Sequence, residues 1–314
     1  MPILNRLDPE FMPVVSKLPV LDLTNIEAVR AARAYGHVPK SNLSISHSDY
    51  WTPSKDNKPS VMLRIFKPSS NTNDVLPCLY WIQGGGYVIT SPDLDDQFCE
   101  EIVNKHQCAV VSVDWRRAPE HPFPAALQDC YTGLAWIIEN ASQLQIDINR
   151  IVVGGRSSGG GSATSLALLI RDKGEFNITH QILISPMLDD TNSTPSSYMV
   201  TEPQLWNRTN NEIAWRSYLG TNYGTKNISP YAAPTRMTDL SGVAPATIMT
   251  GELDLFVDED IIYANRLMQS NVSTELHVYR GAPHGFDHMV PTAQISQRFT
   301  SDRDIALKNT FYPQ

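Results

Sequence analysis

Apolar positions along the chain fall into short runs divided by polar, Gly- and Pro-containing stretches. Val61-Met62-Leu63-Arg64-Ile65-Phe66 alternates in part, and Leu76-Pro77-Cys78-Leu79-Tyr80-Trp81-Ile82 and Cys108-Ala109-Val110-Val111-Ser112-Val113-Asp114 are continuous; all three read as strands. A helix-like segment at about 93–105 separates the last two. From Pro124 to Ile138 the apolar spacing of three and four predicts an amphipathic helix. Ile151-Val152-Val153 is a strand leading into helix-like Ser162–Ile170, and Gln181–Pro186 is the next strand. Ala246–Thr250, a helix at 258–270, Glu275–Tyr279 and a closing helix from about 292 complete the pattern. Strands alternating with helices imply an α/β chain with a largely parallel sheet, helices on both faces and functional groups beyond the carboxyl ends of the strands. Two stretches break the alternation. Residues 1–45 hold helical patches such as Ile26–Arg33, interrupted by prolines and preceding any strand pattern. Residues 188–243 are polar, too long for a plain connection, and contain one helix-like piece, Asn211–Leu219. The expected organisation is an N-terminal cap over 1–45, a core over 46–187 and 244–314, and an inserted cap segment over 188–243. No internal repeat is visible.

A chain of 314 residues that is 41% hydrophobic and 18% charged is long enough for one large core with such additions. The net charge of −8, with no long like-charge run, argues against nucleic acid or an anionic membrane as partner. No apolar run reaches membrane-spanning length, and Met1–Glu10 carries acids and prolines where a secretory signal needs an apolar core. A cytoplasmic protein is expected, and sequons such as those at Asn42 and Asn177 then read as by-products of composition. Cys78, Cys99, Cys108 and Cys130 form no C-x-x-C pair; buried free thiols are expected rather than disulfides or metal ligands.

The chemistry centres on Gly155-Arg156-Ser157-Ser158-Gly159, a G-x-S-x-G pentapeptide between a strand and a helix, the context a nucleophile elbow requires. A serine on so tight a turn is strained, and the residues two before and two after it approach closely enough that both must be nearly free of side chain. A serine hydroxyl needs a base. His284, in Gly281-Ala282-Pro283-His284-Gly285-Phe286 after the last strand, is the candidate, with His288 its nearest competitor. The base needs an acid to hold its tautomer. Asp254 stands at a strand end and is preferred over Glu252, while Asp258, Glu259 and Asp260 read as helix-opening acids. Gln83-Gly84-Gly85-Gly86-Tyr87 follows a buried strand, so the amides of Gly85, Gly86 and Ser158 are candidate oxyanion donors. No G-K-[ST] follows, against a phosphate loop.

With these segments, and with Asp114-Trp115-Arg116-Arg117-Ala118-Pro119-Glu120-His121-Pro122-Phe123-Pro124-Ala125 and Ser229–Pro234, the chain resembles the hormone-sensitive-lipase-like carboxylesterases over about residues 60–290. The resemblance implies an α/β-hydrolase fold with a helical cap and hydrolysis of small-molecule, short-chain acyl esters by Ser157, Asp254 and His284, without cofactor or metal. It further implies that Arg116 and Glu120 pair beneath the site, that His121 is structural, and that a homodimer through the last strand and helix is possible. Amide hydrolysis or acyl transfer by the same residues, or a non-catalytic receptor on the same scaffold, are the alternatives. Two departures stand out. Gln83 replaces a histidine that braces the glycine loop, and its amide can also donate and accept. Arg156 replaces an aspartate beside the serine; it either favours negatively charged substrates or faces away from the cleft. Trp206, Tyr87 and Trp215 are candidates to line the pocket, or core packing.

Overall fold

One eight-stranded sheet runs in the order β1-β2-β4-β3-β5-β6-β7-β8 in the computed structural model, which describes residues 3–36, 45–54, 59–69 and 74–313. The strands are β1 (Ile45–Trp51), β2 (Met62–Pro68), β3 (Leu76–Ile82), β4 (Ala109–Asp114), β5 (Ile146–Arg156), β6 (His180–Ile184), β7 (Ala246–Leu253) and β8 (Thr274–Pro283). From β4 to β8 every pairing is parallel; β2 runs antiparallel to both β1 and β4. The expected α/β architecture is therefore present. The sequence reading starts the strands at Val61 and misses β1. Ile45-Ser46-His47-Ser48-Asp49-Tyr50-Trp51 is mostly polar because it is an edge strand that pairs only with β2, and it leaves Trp51 62% exposed. The sequon at Asn42 lies outside the described residues.

Ten α-helices surround the sheet among the described residues: α1 (Met12–Val15), α2 (Ile26–Gly36), α3 (Asp96–His106), α4 (Ala125–Glu139), α5 (Ser158–Lys173), α6 (Pro195–Met199), α7 (Arg208–Leu219), α8 (Val257–Gln269), α9 (Phe286–Met289) and α10 (Gln294–Phe311). The central one is α5, buried along every residue from Ser158 to Leu168. Its first turns are glycine, serine and alanine because nothing larger fits: a Cβ on Gly160 would stand 2.9 Å from Pro186, and one on Gly161 would strike the Met187 carbonyl.

The stretch 188–243 carries α6 and α7, so the helix-like piece at Asn211–Leu219 is real, begins at Arg208, and is preceded by a second short helix. Asn207 caps α7 by accepting from the Asn210 amide. This region is fastened to the N-terminal segment. Asn210 accepts from the Leu23 amide at 3.1 Å and donates to the Leu21 carbonyl at 2.7 Å, and the Leu21 amide reaches Pro203. The N-terminal residues reach the other side of the molecule too, where buried Phe11 packs edge-on against Phe286 of α9. All four cysteines are free and buried, and burial pushes the Cys78 thiol up to about 12.

Candidate active site

The crevice is assembled from the carboxyl ends of β3, β5, β7 and β8, the edge at which a parallel sheet delivers its loops. At the end of β5 the chain turns through Ser157, whose φ of 54° and ψ of −126° lie in a region L-residues seldom occupy. The turn is held from both sides. The Ser157 amide donates to the Ile184 carbonyl at 2.8 Å, and its carbonyl accepts from Met187 and Gly161, each at 3.0 Å. A Cβ on Gly155 would run into the Gly159 carbonyl, and one on Gly159 into the Ile82 carbonyl and, at 2.6 Å, the Gln83 carbonyl. The two glycines are thus required by closure of the turn on itself and on the end of β3. Ser157 is 6% exposed at the bottom of the crevice.

The loop after β3 passes directly over this turn. A Cβ on Gly84 would lie 3.2 Å from the Ser157 Cβ, and Gly85 and Gly86 have φ of 129° and 58°. Among the described residues no acceptor engages the amides of Gly85, Gly86 or Ser158, and that of Ser158 is an unsatisfied first-turn donor of α5. Gln83 is buried and its side-chain amide donates to the Val113 carbonyl at 2.9 Å, which ties the loop to β4. The glutamine therefore braces the loop by its donor.

His284 follows β8, and its Nδ1 meets Asp254 Oδ2 at 2.7 Å. The Asp254 carboxylate, on the turn after β7, has no exposed surface, and its Oδ1 accepts from the Phe256 amide at 3.0 Å. With Nδ1 donating to Asp254, Nε2 carries the free lone pair. Trp206 joins the two halves of the crevice. Its indole lies over Gly86, so that a Cβ there would overlap the ring, and stands 6.4 Å from the His284 ring. A hydrogen-bonded chain from Trp206 Nε1 to Asn211, and from Asn211 to Asn192, fixes the indole. Ser157, the glycine loop, Trp206 and His284 are thus successive neighbours.

The competing candidates are engaged elsewhere. His288 is 60% exposed and contacts Arg156 and Asp287. Glu252 accepts from the Gly281 amide and pairs with Arg6; burial raises its pKa, but these two partners leave it lowered. Asp258 and Glu259 open α8 and accept from the amides of Ser196, Leu188 and Asp189. One expected ion pair is wrong: Arg116 binds Asp129 of α4 at 2.8 Å, and Glu120 binds Arg30 of α2 at 2.7 Å. The reason is burial, since the Asp129 carboxylate is buried whereas Glu120 sits on an exposed turn. His121 is exposed. Of the three aromatic candidates only Trp206 faces the crevice residues; Tyr87 stacks on Tyr218 at 3.7 Å and packs against Trp215, both in the core. Asp287, 3.2 Å from Arg156, went unrecognised in the sequence, where an unpaired arginine beside the serine was the available signal. A separate open groove of about 850 Å³ between α3 and α10, lined by His106, Gln297 and Ile305 among others, contains none of these residues.

A strained serine between two obligatory glycines at the end of a central strand, with a histidine bound to a buried aspartate at the ends of later strands, defines an α/β-hydrolase. A family model described as alpha/beta hydrolase fold matches residues 79–288, and the chain belongs to that family, in its hormone-sensitive-lipase-like carboxylesterase branch. It is 33% identical to an AB hydrolase superfamily protein of Schizosaccharomyces pombe, over 98% of this chain and 95% of the relative. It is 29% identical to Carboxylesterase NlhH of Mycobacterium tuberculosis, over 98% of this chain and 97% of that protein. Among solved structures, Bacterial Heroin Esterase superposes with a TM-score of 0.93 at 37% identity, covering 98% of this chain and 99% of that one.

Proposed function

We propose that the protein is a carboxylesterase that hydrolyses short-chain acyl esters through an acyl-enzyme on Ser157. The observation that carries this reading is the 2.7 Å bond from His284 to a fully buried Asp254 in the crevice that holds the elbow serine. His284 Nε2 takes the Ser157 proton as Oγ bonds to the ester carbon. The carbonyl oxygen becomes an oxyanion received by the amides of Gly85, Gly86 and Ser158, each such donor being worth about 3–4 kcal/mol in the transition state. As the carbonyl re-forms, the bond to the alcohol oxygen breaks and His284 returns its proton to the leaving alcohol. Water then attacks the acyl-enzyme by the same route and frees the acid. Asp254 holds the histidine tautomer and stabilises the imidazolium. No step calls on a metal or cofactor.

Trp206 over Gly86 leaves little room beside the oxyanion position, which supports short acyl groups. The described residues of 1–45 and the segment 188–243 are read as the cap, a reading supported by the bonds from Asn210 to Leu21 and Leu23. A cytoplasmic homodimer completes the reading; exposed Ile262, Met268 and Val278 beside edge strand β8 support a second copy there. Among the described residues no helix is long and apolar enough to cross a membrane. The test is turnover of p-nitrophenyl acetate through decanoate and of a matched anilide. Hydrolysis fastest on the short esters, slow on the anilide and lost in Ser157→Ala supports the assignment. Faster anilide cleavage, or turnover by Ser157→Ala, overturns it.

A further inference from the structure

Arg156 is one of the two departures from the family pattern, and its side chain is committed beneath the elbow. It turns under the elbow, where it is 13% exposed and faces Asp287, itself 8% exposed, with Nη2 3.2 Å from Oδ2. Nη1 lies 2.8 Å from His288 Nδ1, which accepts. The guanidinium sits over the rings of Phe98 of α3 at 5.2 Å and Trp81 of β3 at 5.8 Å. Its stem runs beneath the glycine loop, with Cγ 3.2 Å from where a Cβ on Gly84 would stand. One side chain therefore touches the strand before the glycine loop, the loop itself and the turn after His284, and its own residue precedes Ser157.

That last turn transmits position. Asp287 is three residues beyond His284 on α9, whose N-cap is Gly285 with φ of 73°; a Cβ on Gly285 would stand 2.6 Å from His288 Cε1. The turn is closed by the Met289 and Val290 amides, which donate to the carbonyls of Gly285 and Phe286, each at 3.1 Å. Burial would raise the Asp287 carboxyl, but the Arg156 charge overcomes this and holds it well below the usual range, so the pair is ionic.

We propose that Arg156 is a positioning residue: through Asp287 it ties the strand end presenting Ser157 to the turn presenting His284, and so sets the reach between nucleophile and base. The proposal rests on the catalytic reading of Ser157 and His284 given above. It also answers the question the sequence leaves open, because a guanidinium committed to Asp287, His288 and two rings is not a receptor for anionic substrates.

The experiment compares Arg156→Met, Arg156→Lys, Asp287→Asn and the double variant Arg156→Met/Asp287→Asn by kcat and KM on p-nitrophenyl acetate. Thermal unfolding is followed alongside, together with the low-field proton resonance of His284 Nδ1–H bound to Asp254. A displacement on the order of 1 Å costs about 10²-fold in rate. Arg156→Met and Asp287→Asn should each lower kcat by roughly that factor with KM within about threefold, and the double variant should lose no more than either alone. Arg156→Lys should recover part of the rate, and the low-field resonance should shift or broaden in the two single charge-removing variants. An unchanged kcat in a cooperatively folded variant, a change in KM alone, or additive losses would overturn the proposal. Should Arg156→Met not fold, the near-isosteric Asp287→Asn and the charge-conserving Arg156→Lys decide by the same criteria. A wild-type protein inert toward every ester would sink the catalytic reading instead, and the low-field resonance, which needs no turnover, would still judge Arg156.

Discussion

Holding Ser157 at φ 54° and ψ −126° stores strain of order 1–3 kcal/mol, maintained by backbone bonds to β6 and its following loop and by glycines on either side. A residue without a Cβ should relax there. Ser157→Gly is therefore expected to be more stable than Ser157→Ala by about 1 kcal/mol, read as a higher melting temperature; equal melting temperatures would mean the turn is unstrained. Asp254 and His284 could be picked out of the sequence because chemistry demands an acid and a base at strand ends in that chain order. Their 2.7 Å bond is the part of the assignment that geometry reaches. The ion pairs were less legible. Pairing Arg116 with Glu120 followed the family resemblance, whereas the fold supplies a buried Asp129 from α4. Asp287 was missed because nothing local relates it to Arg156, 131 positions earlier in the chain.

Among the elements, the parallel strands announced themselves as apolar runs because both their faces are covered. β1 did not, since an edge strand needs little apolar surface and borrows its register from β2. The junction of β6 and β7 has its own pH signature. His180 bonds Thr247 at 2.9 Å, and burial lowers its pKa from 6.5 to about 4. Between those values the unfolded chain holds a proton that the fold does not. Stability is accordingly full above pH 6.5 and declines as pH falls toward 4, by up to about 1.4 kcal/mol per pH unit. Thermal melts of His180→Gln should show a flatter dependence in that window, and an unaltered slope would contradict this. The N-terminal segment is legible as helical patches but not as part of the core it joins. Phe11 is fully buried against Phe286, two residues from His284. Phe11→Ala should cost about 3–5 kcal/mol, with esterase activity lost at lower temperature than global structure; loss of under 1 kcal/mol in a denaturant titration would show that the segment is a loose appendage.

At the scale of the molecule, the closing helix is clamped to α3 by charge. Asp304 receives Arg303, His106 and Lys105; burial opposes its ionisation, yet these partners lower its pKa to about 2. A depressed carboxyl contributes stability above the unfolded value of about 3.9, and that contribution disappears as pH falls through about 2. Asp304→Asn should thus melt below wild type at pH 7, by an amount equivalent to about 2–3 kcal/mol, and the gap should close between pH 4 and 2. A gap independent of pH would point to packing instead. The whole fold gathers the ends of β3, β5, β7 and β8 at one edge of the sheet, and the proposed function requires Ser157 and His284, 127 positions apart in the chain, to meet there. The most direct test is intact-mass and peptide mapping of the protein treated with an organophosphonate ester probe. The account requires one adduct, on Ser157, absent in Ser157→Ala and strongly slowed in His284→Ala. An adduct on another serine, or undiminished labelling of Ser157→Ala, would contradict it.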